Sequence, residues 1–131
     1  MTADGVRYSP LHMWARKEAD GTVTIGITDY AEHQLGEIQY VGLPRVGSLV
    51  TRDKSLGEVE STKTASELYA PCTGSVLAVN DAVVREPGIV NREPLGAGWM
   101  VRIEPADDGE FETLLEHVAY QQYLANDDHS G

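Results

Sequence analysis

One seven-residue pattern occurs twice in this chain, and it constrains the fold more than any other feature. Pro44-Arg45-Val46-Gly47-Ser48-Leu49-Val50 reads Pro-x-x-Gly-Ser-apolar-apolar, and Pro71-Cys72-Thr73-Gly74-Ser75-Val76-Leu77 repeats it 27 positions later. Each copy is a Pro/Gly turn opening a strand. Neither strand-turn-strand unit could bury its apolar face alone. A duplicated unit therefore predicts two halves that clasp one another as a pseudo-twofold β-sandwich. Two ordinary turns that each open a strand would give the same letters, so the echo alone does not choose.

The residues between the copies add a second constraint. Leu56 to Ser61 alternates small or apolar residues with carboxylates, and Ala65 to Ala70 forms a second run. Ser61-Thr62-Lys63-Thr64 separates them, and no apolar face recurs at helical spacing. The pattern predicts a hairpin with Lys63 at its crest. A solvated lysine in a polar turn is the plain reading. A lysine that must be covalently loaded needs the same setting: exposure, a fixed backbone and small neighbours, here Ser61, Thr62, Thr64 and Ala65. Glu58, Glu60 and Glu67 favour the protonated amine, which suits partner docking better than nucleophile activation.

Glu60-Ser61-Thr62-Lys63-Thr64-Ala65-Ser66 resembles the lipoyl-attachment motif of the glycine cleavage H-protein family. Biotin carriers, the nearest relatives, place methionines beside their lysine, where this chain has Thr62 and Thr64. Further landmarks follow in order from about Tyr8 to Leu124. They are Tyr8-Ser9-Pro10-Leu11-His12-Met13-Trp14, Gly26-Ile27-Thr28-Asp29-Tyr30-Ala31, Leu35-Gly36-Glu37-Ile38, Tyr69-Ala70-Pro71 with Gly74, Val90-Asn91 and Gly98-Trp99-Met100. The resemblance implies a mostly β fold, a barrel-sandwich hybrid of the lipoyl/biotinyl type with pseudo-twofold halves, a short helix and a C-terminal helix. It implies a non-catalytic carrier with lipoate on Lys63. Glu60, Ser61, Thr62, Thr64, Ala65, Ser66 and Glu67 would surround the attachment point, and Leu11 and Met13 are candidates for a cleft.

The implied partners are a lipoate–protein ligase, or an octanoyltransferase followed by lipoyl synthase, for loading. Glycine decarboxylase, aminomethyltransferase and dihydrolipoyl dehydrogenase would exchange an aminomethyl group and electrons with the arm. One position departs from the family: its usual His-Glu-Trp reads His12-Met13-Trp14 here, with Leu11 two residues before Met13. A methionine cannot pair with a cationic amine. That favours, as an alternative, a lipoate carrier of sulfur intermediates serving a heterodisulfide-reductase-like sulfur-oxidation complex. A non-lipoylated interaction domain is the remaining reading.

The rest of the chain fits a carrier. Its 131 residues predict one domain, 1–131, with a core from about 8 to 124 and loose ends. A net charge of −11 excludes nucleic acid and an anionic membrane as partners. Docking on basic faces, solubility, or a salty or alkaline habitat would each account for it. Cys72 is the only cysteine, compatible with a reducing cytoplasm. The start of the chain has no basic-then-apolar leader, and no apolar run is long enough to span a membrane. A monomer in the cytoplasm is the expected state. No catalytic constellation and no metal-ligand spacing emerges, and Cys72 reads as an inert thiol.

The local expectations are these. Asp20-Gly21 turns a hairpin into Thr22–Ile27, with Val23, Ile25 and Ile27 on one face and Trp14 in the core. Asp29 and Glu32 form a capping box for a helix Tyr30–Leu35 that stops at Gly36. His33 is a surface residue, and Glu37–Leu43 returns to strand. Asn80-Asp81, Glu86-Pro87-Gly88 and Arg92-Glu93-Pro94 are turns or loops. Trp99, Val101 and Ile103 face one way on a strand. One C-terminal helix from Glu110, broken near His117, buries Phe111, Leu114, Leu115 and Val118. Met1 to Val6 and Asn126 to Gly131 are loose.

Overall fold

The structure, a computed structural model, describes residues 5–128. In chain order the elements are β1 (Val6–Tyr8), β2 (Met13–Lys17), β3 (Val23–Ile27), α1 (Asp29–Leu35), β4 (Ile38–Gly42), β5 (Leu49–Val50), β6 (Ser55–Ser61) and β7 (Ala65–Tyr69). They continue as β8 (Gly74–Val79), α2 (Asp81–Arg85), α3 (Gly88–Arg92), β9 (Val101–Pro105), α4 (Asp108–Glu112) and α5 (His117–Asp128). Two antiparallel sheets result: β1-β2-β3-β9-β8-β5, and β4-β6-β7. They share one core that includes Ile25, Ile27, Val41, Val59, Leu68, Val76, Val101 and Ile103. This is the expected mostly β sandwich. The two copies of the repeated pattern meet: Leu49 pairs with Ser75 and Val50 with Gly74, and Val76 N–H donates to the Ser48 carbonyl at 2.8 Å. The sheets differ in size, so the internal symmetry shows in these paired arms and not in strand number.

β3 shows how the sequence builds this core. Val23, Ile25 and Ile27 face the sandwich as their alternation predicts. The strand's other face is buried too, because Trp14 on β2 stands opposite Gly26. A Cβ at Gly26 would lie 2.7 Å from the indole Nε1, so a glycine is required there. Trp14 donates to the Pro94 carbonyl at 2.9 Å and packs with Val6, Tyr8 and Tyr120 in a second cluster beneath α5.

Several local expectations are corrected. The N-cap of α1 is Thr28, whose hydroxyl accepts from Ala31 N–H. With the cap one residue earlier, Ala31 occupies the third helical position and no Asp29–Glu32 box forms. Glu32 instead accepts from Asn91 Nδ2 at 2.7 Å. Gly36, at φ 79°, ends the helix as expected. The segments read as turns and loops after Asn80 contain α2 and α3. Asn80 caps α2 through its side chain, and Pro87 opens α3 with the backbone angle a helix start needs.

At the C-terminal end the break precedes His117 because the backbone of Leu115 exchanges two 2.8 Å hydrogen bonds with Tyr8. Val118, expected on the apolar stripe, is 67 % exposed. Trp99 lies just outside β9 and packs in the second cluster, whereas Val101 and Ile103 enter the main core. Val6, expected to be loose, pairs with Arg16 on β2. α5 runs on to Asp128, so order persists beyond Asn126. The expectations for residues 1–4 and 129–131 lie outside the described residues.

Buried acids, Tyr120 and Cys72 among them, make the fold sensitive to alkali. Burial pushes the Tyr120 hydroxyl from 10.0 up to about 12, and the Cys72 thiol from 9.0 to about 12. Both stay protonated in the fold, while the unfolded chain loses these protons at ordinary values. Their contribution is complete below about pH 9 and is lost as pH rises toward 12. The expected result is a urea midpoint that declines above pH 9, with a shallower decline in Cys72→Ala.

Candidate functional site

The crest between β6 and β7 is built by Ser61. Its N–H donates to the Thr64 carbonyl at 2.8 Å. Its hydroxyl accepts from the N–H groups of Lys63 (3.1 Å) and Thr64 (3.2 Å). This is the local hydroxyl-to-backbone bonding that makes serine a turn residue. Thr62 N–H donates to the Glu37 carbonyl at 3.0 Å, tying the crest to the end of α1. Thr62, Lys63, Thr64 and Ala65 are exposed, and Ser61 and Ser66 are half-buried. Glu60 pairs with Ala65 just below the crest.

Lys63 is exposed at the top. Among the described residues no carboxylate forms an ion pair with its amine. Its stem lies along Gly36, where a Cβ would come within 2.9 Å of Lys63 Cε. Glycine at the helix end thus gives the backbone its positive φ and leaves the lysine stem room. The crest is fixed by main-chain bonds while the amine stays in water.

Beside the crest, between α1 and β7, lies a cleft of about 160 Å³. Its walls are Leu11, His12 and Met13; Ile27; Tyr30, Ala31, Gln34 and Leu35; and Ser66, Glu67 and Leu68. Four residues singled out from the sequence therefore converge here: Leu11, Met13, Ser66 and Glu67. The others, Glu60, Ser61, Thr62, Lys63, Thr64 and Ala65, form the crest. The α1 wall is not visible in the motif itself. Its signal is the spacing of Tyr30 with Gln34 and Ala31 with Leu35, two i, i+4 pairs leading to Gly36.

The Leu11–Met13 wall is held rigidly. Ser9 Oγ accepts from Leu11 N–H and Met13 N–H, and His12 takes a left-handed φ of 71°. The His12 carbonyl accepts from Thr28 N–H at 3.1 Å. Tyr120 on α5 places its hydroxyl 2.9 Å from both His12 Nδ1 and Thr28 Oγ1, so the C-terminal helix braces the cleft from behind.

Glu67 borders the cleft, but its carboxylate bonds elsewhere. Its Oε1 accepts from Ser55 Oγ across the outer face of the three-stranded sheet, and Glu58 stands directly opposite it. Like charges at facing positions repel. Tyr40, Ser55, Glu58 and Glu67 line an open polar groove on that face. Cys72 is buried and kept protonated, a packing residue and not a nucleophile. His33 is exposed beside Glu32. Among the described residues no group of three or more His, Cys, Asp or Glu could hold a metal ion, and no helix is long and apolar enough to cross a membrane.

Comparison with known proteins finds one family. The profile of the glycine cleavage H-protein family matches residues 6–127. The glycine cleavage system H protein of Psychrobacter sp. is 49 % identical over 119 residues, covering 91 % of this chain and 94 % of that protein. The H proteins of Escherichia coli (44 % over 122 residues; 93 % and 95 % covered) and Marinobacter nauticus (43 % over 120 residues; 92 % of each) are similarly close. The crystal structure of a glycine cleavage system H protein from Mycobacterium marinum superposes with a TM-score of 0.82 at 37 % identity, covering 96 % of this chain and 98 % of that one.

Proposed function

The chain belongs to the glycine cleavage H-protein family, lipoyl carriers without catalytic activity of their own, and from that premise we propose that Lys63 is its lipoyl-attachment residue. The observation that carries the reading is a solvent-exposed amine, without an ion pair among the described residues, on a crest fixed by Ser61 and next to an apolar cleft. A cavity of about 150 Å³ lined by aliphatic side chains takes a ring the size of benzene. The cleft is of that order and suits a small dithiolane.

When attached, the lipoyl group supplies the redox-active disulfide that accepts an aminomethyl group, chemistry the protein itself does not perform. The chain's own residues present and shelter it. Ser61 orients the backbone of Lys63, Gly36 leaves room for its stem, and the α1–β7 cleft offers a dry wall. Glycine decarboxylase, aminomethyltransferase and dihydrolipoyl dehydrogenase would act on the arm in turn. Tethering raises the arm's local concentration at each docked enzyme. Loading would come from a lipoate–protein ligase or from an octanoyltransferase and lipoyl synthase. The expected setting is a monomer in the cytoplasm.

The named relatives are all glycine cleavage H proteins, which favours aminomethyl carriage over the sulfur-oxidation alternative raised by Met13. The carrier reading is tested by coexpression with a lipoate–protein ligase and lipoate, followed by intact mass and peptide mapping. One lipoyl group is expected, on Lys63 and not on Lys17 or Lys54, the other two lysines. No added mass, or mass on another lysine, would overturn it.

The repelling Glu58–Glu67 pair suggests that this face meets a basic partner. Raising salt is expected to slow loading, and Glu58→Gln should cut the association rate about two- to fivefold while leaving the maximal loading rate unchanged. An unchanged salt dependence in the variant would remove this face from the docking surface.

A further inference from the structure

The turn between α1 and β4 is clamped by one side chain from α3. Asn91 Nδ2 donates to the Gly36 carbonyl at 2.8 Å and to Glu32 Oε2 at 2.7 Å, and Asn91 Oδ1 accepts from Ile38 N–H at 2.9 Å. Two donations and one acceptance leave the amide a single orientation. Its neighbour Val90 is fully buried in the main core, so the clamp extends from a fixed point. Residues 36 and 38 are thereby held on either side of Glu37. These three residues meet the crest in antiparallel order. The Lys63 stem lies on Gly36, Thr62 N–H donates to the Glu37 carbonyl at 3.0 Å, and Ser61 pairs with Ile38 across β4 and β6. Ser61 shapes the crest from within, whereas the bonds of Asn91 hold the segment against which the crest is set.

Building on the carrier reading, we propose that Asn91 is a positioning residue for loading: it sets the direction in which the crest presents the Lys63 amine to the ligase. Loading joins Nζ to an activated lipoyl carboxyl carbon. The neutral amine adds, the leaving group departs and one proton is released. That reaction needs the nitrogen aimed along one line, and a small error of aim at a reacting atom costs rate more than affinity. Asn91 does not bond the amine; it acts through residues 36–38 and the Thr62 link.

The test measures the initial rate of loading by a lipoate–protein ligase with lipoate and ATP, against carrier concentration, at a temperature where circular dichroism shows every variant folded. Asn91→Ala should lower kcat about tenfold and leave KM for the carrier within about twofold. Asn91→Asp keeps the acceptor for Ile38 and loses both donations, and its kcat should fall in the same direction. Trp14→Ala gives up core packing and keeps every Asn91 bond, so its kcat should stay within about twofold, which separates aim from stability. Amide hydrogen exchange gives a second reading. In the natural protein Thr62 N–H should exchange at least about tenfold slower than in an unstructured chain. Asn91→Ala should erase that protection while the Val59 amide keeps its own. An unprotected Thr62 amide in the natural protein, or Asn91 variants that load with the natural kcat, overturns the inference and leaves the carrier reading standing. So does a kcat in Trp14→Ala that falls as far as in Asn91→Ala. Failure of the natural protein to load on Lys63 overturns the carrier reading, and this inference with it.

Discussion

Lys63→Ala and Lys63→Arg are both expected to lose lipoyl loading completely while folding normally. In the reconstituted glycine cleavage reaction each should fall to the background seen without carrier. The pair of variants separates charge from reactivity. An arginine keeps the positive charge on the crest, but its guanidinium stays protonated and does not form the amide. The fold should not notice either change, because the hydrogen bonds that shape the crest use the backbone N–H of residue 63, which any residue but proline retains. Exposed substitutions of this kind usually cost within about 0.5 kcal/mol.

Ser61→Ala gives the contrasting result. The N–H groups of Lys63 and Thr64 lose their acceptor and turn to water, costing about 0.5–1.5 kcal/mol. Loading should slow without being abolished, since the amine remains. A lipoyl group appearing on Lys63→Arg protein would show that another lysine takes the cofactor.

The crest was legible because it is local. Alternating Leu56–Ser61, a hydroxyl-rich turn and Ala65–Ala70 carry the hairpin within fifteen residues, and turn chemistry needs no distant partner. Val23, Ile25 and Ile27 were legible for the same reason. The cleft was only half legible. Leu11, Met13, Ser66 and Glu67 could be named from resemblance, but the α1 wall comes from residues 30–35, and the brace comes from Tyr120, 108 positions beyond His12. A hydrogen bond across that distance leaves no periodicity to read. The sequence does not choose between Thr28 and Asp29 as the cap of α1, since both residue types cap helices well; Thr28 caps it and also bonds Tyr120. α2 and α3 leave no signal in the sequence, because five residues are too few for an apolar stripe to declare itself. Helical spacing points Val118 inward, yet the Tyr8–Leu115 pairing interrupts the helix and resets its phase.

Trp14→Ala should be the most destabilising single change in the core. The indole is fully buried, donates to Pro94 and lies under the Arg16 guanidinium at 5.3 Å. Truncating such a ring costs about 3–5 kcal/mol, against a total stability of about 5–15. At about 4 °C per kcal/mol, the melting temperature should fall by about 12–20 °C. Met13 and Trp14 alternate on β2, so the cleft side and the α5 side of this strand are separate. Loading on Lys63 should therefore survive in the folded fraction, which distinguishes lost packing from a lost site.

A second substitution tests the cause. Gly26→Ala in the natural chain must push a methyl into an indole pinned by its bond to Pro94, and should cost about 1–3 kcal/mol. In the Trp14→Ala background the same methyl enters vacated space, so its cost should vanish or reverse. That non-additivity, read from urea midpoints of the four proteins, is the signature of residues in direct contact. Simple additivity would mean that Trp14 and Gly26 do not face each other across β2 and β3, and the register that places Met13 in the cleft would be wrong with them.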